Sequence, residues 1–139
     1  MPPDGVLLHL KAATLEDAIE QISATAAEVV GLRTGVICEA LMARVQQGVS
    51  VGHGVLIPHA RLSGLRRIVA IYARPLTPIV IEQGAPPVTM LFVLLAPEDA
   101  DAAHLKLLAQ VAATLRNEAS RTVLLHGGRD DIYSLLTAA

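Results

Sequence analysis

The chain has 139 residues, of which 53% are apolar and 2% aromatic, and it carries a formal charge of −2 at pH 7. That length fits one domain over 1–139, and an alanine-rich apolar fraction suits packed helices. Near-balanced charge, with Tyr72, Phe92 and Tyr133 as the only aromatic residues, excludes a basic nucleic-acid groove or a base-stacking platform.

The densest apolar run, Val88 to Ala96, falls far short of the roughly 20 residues that span a bilayer. The opening MPPDGVLLHLK lacks the basic start and long apolar stretch of a secretory signal. These features read as a cytosolic, cytoplasmic protein with no membrane insertion. The single cysteine, Cys38, excludes an internal disulfide and a cysteine-based zinc site, and its apolar helical neighbours mark it as an inert core residue.

In chain order, LLHLKA reads as a short extended piece or loop. Thr14-Leu15-Glu16-Asp17 has the form of a helix cap, and Leu15, Ala18, Ile19, Ile22 and Ala26 recur at helical spacing up to about Val30. A second helix is predicted from about Gly35 to Gln47, with Gly48 ending it. Gly52 and Gly54 then loosen the backbone before a short strand, Val55 to Ile57. Pro58 has no amide proton, so strand pairing is expected to fail there, placing His59 just past a strand end. Ile68 to Arg74 and Val88 to Leu95 read as buried strands, with a shorter one at Ile79 to Glu82. Asp99 or Asp101 caps a helix over about Ala102 to Arg116, whose apolar face is His104, Leu107, Leu108, Val111 and Leu115. Two short helices, about Glu118 to Leu125 and Asp130 to Leu136, follow. Helices outnumber strands in this reading, and the class is α/β, a small mixed sheet flanked by helices.

Five histidines are the candidates for chemistry. His9 and His126 sit near element ends among ordinary neighbours. His53, between two glycines, reads as exposed and mobile. His59 follows a rigid X-Pro bond behind a packed strand, with Arg61 two residues on. A guanidinium there would depress the imidazole pKa and grip phosphate oxygens. His104 lies in the first turn of a helix, where the dipole disfavours the imidazolium and free amides favour an anion. His53, His59 and His104 could also bind metal, but no HExxH spacing or cysteine partner supports it. Neither a G-x-S-x-G elbow nor a Walker A loop is present, so a phosphoryl donor would have to be another molecule.

Two separated segments, Gly52-His53-Gly54-Val55-Leu56-Ile57-Pro58-His59 and Leu94-Leu95-Ala96-Pro97 followed by His104-Leu105-Lys106-Leu107-Leu108, carry a resemblance over nearly the whole chain. In order and spacing they resemble the fructose–mannitol class of enzyme IIA domains of the sugar phosphotransferase system, including its nitrogen-regulatory branch. The resemblance implies a phosphocarrier in which phospho-HPr charges His59 and His104 is the second active-site histidine, the two meeting in a shallow cleft. Arg44 matches the arginine of the family's Arg-Glu pair if the following loop is one residue shorter; without that gap Ala43 takes the place. Val45 stands where the family has glutamate, Val49-Ser50-Val51 where it has Ser-Thr-Gly, and Leu56 where it has alanine. The onward partner would be an enzyme IIB cysteine or a regulated transporter or kinase. No organic cofactor or metal is implied, and the altered loop tilts the reading towards regulation. The alternative is a non-catalytic binding module that keeps the fold and docks to a transporter or kinase.

Overall fold

The computed structural model describes residues 4–45, 54–81, 86–99 and 101–138, with the side chains of 101–105, 107, 108, 137 and 138 outside that description. Gln47, Gly48, Val49-Ser50-Val51, Gly52 and His53, which entered the sequence reading, therefore lie outside the described residues. Within them the order is β1 (Gly5–Leu10), α1 (Leu15–Val30), α2 (Thr34–Val45), β2 (Val55–Leu56), β3 (His59–Leu62), β4 (Val69–Pro75), β5 (Met90–Pro97), α3 (Asp101–Arg116), α4 (Glu118–His126) and α5 (Arg129–Ala138). Helices do not outnumber strands, because the N-terminal segment is a strand and the chain pairs again after Pro58.

The strands form one mixed sheet ordered β1-β4-β5-β2, with β3 also on β5. β1 runs parallel to β4, and β4 antiparallel to β5, which takes β2 and β3 in parallel on its other side. β5 is buried from Met90 through Ala96, which accounts for its unbroken apolar sequence. Of the expected strand at Ile79 to Glu82, Glu82 lies outside the described residues and the rest makes a single bridge, Ile79 to Val88, between β4 and β5.

Side chains alternate across the sheet and build two cores. Leu56, Ala60, Ile71, Leu91, Val93 and Leu95 pack with Ile19, Ile22, Ile37 and Leu41 of α1 and α2. Val55, Ile57, Tyr72, Met90, Phe92 and Leu94 pack with Val111, Leu115, Leu124, Ile132 and Leu136 of α3, α4 and α5. The sheet is thus the middle of three layers. Val111 and Leu115 confirm the inward face expected of α3 over its second half.

Local chemistry sets the ends of α1. Thr14 is extended, and its hydroxyl oxygen accepts from the Asp17 amide at 3.1 Å, with Glu16 and Asp17 complementing the positive end of the helix. Gly31 closes it at φ 76°, its amide donating to the Ala27 carbonyl at 2.9 Å. Cys38 is half-buried against the α1–α2 core, and burial, reinforced by Glu20, pushes its thiol above the ordinary value. That suits an inert residue.

Candidate functional site

The site begins with one row of chain laid against β5. Val55 and Leu56 pair with Met90 and Leu91, and His59 to Leu62 pair with Leu94 to Pro97, in the same register on both sides of the gap. Pro58 cannot donate to the ladder, but its carbonyl still accepts from the Leu94 amide at 3.0 Å. The proline therefore interrupts the row for one donor rather than ending it. His59 lies past the end of β2, as expected, and also opens β3, a resumed strand that sequence did not predict.

Gly54 starts the row. It is left-handed at φ 74°, and a Cβ there would stand 2.6 Å from the Pro87 carbonyl oxygen. Its own carbonyl accepts from the Thr89 amide at 2.8 Å. Gly54 thus fixes the row by close approach to β5, which is the opposite of the loosening expected from sequence.

Alternation decides which way the row's side chains face. Ala60 and Leu62 belong to the α1–α2 core, so His59 and Arg61 stand on the face covered by α3, α4 and α5. His59 is half-buried and Arg61 is exposed. The imidazole folds back on its own chain, with Nδ1 2.9 Å from the Ile57 carbonyl oxygen. A carbonyl only accepts, so this contact assigns the proton to Nδ1 and the lone pair of the neutral ring to Nε2.

Arg44 comes from the opposite layer. It lies in the last turn of α2, where a cation suits the negative end of the helix. Its Nε donates to the His59 backbone carbonyl at 3.2 Å. Of the two residues that sequence left competing for the arginine position, it is Arg44 that reaches His59. His104 lies in the first turn of α3, just beyond the end of β5, and its side chain is outside the described residues, as is any contact it makes with His59.

Sequence reasoning missed the Ile57 carbonyl as the group that orients the ring. Residue types carry no signal for it: the Gly54 and Pro58 carbonyls accept from the β5 side, and by alternation the Ile57 carbonyl points away from it. The assembled geometry offers a rigidly oriented imidazole lone pair with a guanidinium anchored to the same peptide. An imidazole held in this way can act as a nucleophile, and a guanidinium can bind dispersed negative charge. Among the described residues no three His, Cys, Asp or Glu side chains gather as a metal site. No helix there is long and apolar enough to cross a membrane.

The family model described as "Phosphoenolpyruvate-dependent sugar phosphotransferase system, EIIA 2" matches residues 1–139. A nitrogen regulatory protein of Bradyrhizobium diazoefficiens is 39% identical over 138 residues, covering 96% of this chain and 90% of that protein. The crystal structure of nitrogen regulatory protein IIA-Ntr from Neisseria meningitidis superposes with a TM-score of 0.88 at 25% identity, over 94% of this chain and 92% of that one. The mannitol enzyme IIA of Escherichia coli, solved in complex with phosphorylated enzyme IIB, shares the fold at a TM-score of 0.76 and 16% identity, over 96% and 94% of the two chains.

Proposed function

Because this chain belongs to the EIIA 2 family of the phosphoenolpyruvate-dependent sugar phosphotransferase system, we propose that it is a phosphocarrier that takes a phosphoryl group on Nε2 of His59. The observation that supports this most directly is the 2.9 Å contact between His59 Nδ1 and the Ile57 carbonyl, which leaves the lone pair on Nε2. The donor is phospho-HPr, and the site of action is the cytoplasm.

In the transfer, Nε2 attacks phosphorus in line as the donor's P–N bond breaks. A donor imidazole protonated at its other nitrogen leaves as the neutral ring, and the His59 ring takes up the positive charge with its proton kept on Nδ1. The Ile57 carbonyl then faces a cationic ring, which strengthens their hydrogen bond. Arg44 holds the His59 peptide through Nε, and its terminal nitrogens supply charge to the equatorial oxygens. His104 is the second donor, at the N-terminal turn of α3.

The group then passes to an enzyme IIB cysteine, or the charged state is read by a transporter or kinase. The Bradyrhizobium relative is named a nitrogen regulatory protein, which favours a regulatory output. Val45, in place of an acid, and Val49-Ser50-Val51 favour a second reading, a docking module that has lost transfer. Intact-mass analysis after incubation with enzyme I, HPr and phosphoenolpyruvate separates the two. The proposal expects an acid-labile phosphoryl adduct that is absent in His59→Ala; no adduct, while a control enzyme IIA charges normally, supports the docking module.

A further inference from the structure

A second feature stands apart from His59 and holds whether or not that residue is charged. The β3–β4 turn crosses beside the α1–α2 turn, with Gly64 left-handed at φ 89° and Leu32 closing on it at 3.4 Å from where a Cβ would stand. Between the two turns lies a cleft of about 440 Å³ lined by Val30, Leu32, Leu65, Val69, Arg66 and Arg67 among others. Val30, Leu32, Leu65 and Val69 give its lining an aliphatic part, to which Val29, 37% exposed, adds. That volume is in the range that receives small ligands or anchoring side chains.

The rim is cationic. Arg67 is tied to Asp4 at 2.7 Å. Arg66, in the lining, and Arg33, which follows Leu32 in sequence but is outside the lining, are exposed and have no ion pair among the described residues. The sequence is also lopsided here. Between Glu39 and Glu82 it holds Arg44, Arg61, Arg66, Arg67 and Arg74 without one aspartate or glutamate, although the whole chain has 13 acidic residues against 11 basic. Asp4 comes in from the N-terminus to pair with Arg67, which leaves Arg66 as the lining guanidinium with no ion pair among the described residues, a group that matches carboxylates in geometry.

We propose that this cleft docks an acidic, amphipathic segment of a partner protein, which seats an apolar side chain on the aliphatic part of the lining and sets carboxylates against Arg33 and Arg66. Charge complementarity selects this occupant. A second copy joined across a two-fold axis through the same cleft would oppose arginine to arginine. A flat anionic membrane would meet the arginines without entering a concave cleft.

The test is an amide-shift NMR titration of the full chain with a 12-residue peptide that has leucines along one side and glutamates flanking them, run beside its Glu→Gln counterpart. Shifts should be confined to Val30–Leu32 and Gly64–Arg67, and the Gln peptide should bind several-fold more weakly. An exposed ion pair is worth roughly a factor of two to five, so Arg33→Gln with Arg66→Gln should weaken binding about tenfold. Both substitutions are at the surface, and an unchanged spectrum elsewhere shows that the fold is intact. Equal affinity for the two peptides, or no shift at these residues up to millimolar peptide, overturns the proposal. So does binding of phosphatidylglycerol vesicles, or self-association by sedimentation, that needs the two arginines when the peptide does not bind.

Discussion

Arg44 meets His59 through a backbone carbonyl and not through the ring. Removing it should therefore separate stability from transfer. The carbonyl it leaves is near solvent and can take a water, so loss of this one hydrogen bond should contribute less than about 1 kcal/mol to the cost of Arg44→Ala in urea unfolding. If Arg44 contacts the phosphoryl oxygens as proposed, its loss should lower the uptake rate about 100-fold in quench-flow with phospho-HPr. Arg44→Lys should recover part of the rate, because the charge returns without the planar fork. An unchanged rate in Arg44→Ala would remove Arg44 from the mechanism. Sequence was both most and least informative at His59. His59 stood out by its proline and its neighbours. The Ile57 carbonyl did not, since nothing in residue types says that a ring will fold back two positions.

Two left-handed glycines show how elements differ in what they tolerate. Gly31 ends α1 with nothing within 4 Å of where a Cβ would stand, so Gly31→Ala meets only the backbone penalty, about 1 kcal/mol. Gly54 adds a collision with the Pro87 carbonyl at 2.6 Å, so Gly54→Ala should cost about 3 kcal/mol and displace the row that bears His59. Urea midpoints should keep that order, and only Gly54→Ala should slow phosphoryl uptake; equal costs would mean that the approach to β5 is not tight. The helices were legible because caps and periodicity agree, as at Thr14 and the run from Leu15 to Ala26. β3 was not, because Pro58 reads as a strand end when only its missing donor is considered. Its carbonyl is still available, and Leu94 uses it. β1 was left open between strand and loop because its pairing, to β4, is remote in sequence.

Across the molecule, the helical layer that includes α4 is fastened to the sheet from β4. The buried Tyr72 hydroxyl donates to the Leu124 carbonyl at 2.6 Å, and Arg74 Nη1 donates to the same oxygen at 2.9 Å and to the Gly127 carbonyl at 3.0 Å. Tyr72→Phe leaves Leu124 a donor, so it should cost only about 1 kcal/mol; Arg74→Met strands Gly127 and should cost more. Burial raises the Tyr72 hydroxyl above its usual 10.0, with Arg74 opposing that shift weakly. The unfolded chain therefore ionises first as pH rises. The stability from this group is fully present below pH 10 and drains away above it, as the folded pKa is approached. Urea midpoints measured upward from pH 9 should fall less steeply in Tyr72→Phe than in the parent, and identical slopes would contradict the assignment. The layered α/β class was legible from composition and period, but this fastening was not, because it joins residues about fifty positions apart.

The most direct test of the account is long-range ¹H–¹⁵N NMR of the histidine side chains before and after charging with phospho-HPr. The uncharged protein should show His59 protonated on Nδ1, and the charged protein should carry phosphorus on Nε2 with the Nδ1 proton retained. Phosphorus on Nδ1, or on a histidine other than His59, would contradict it.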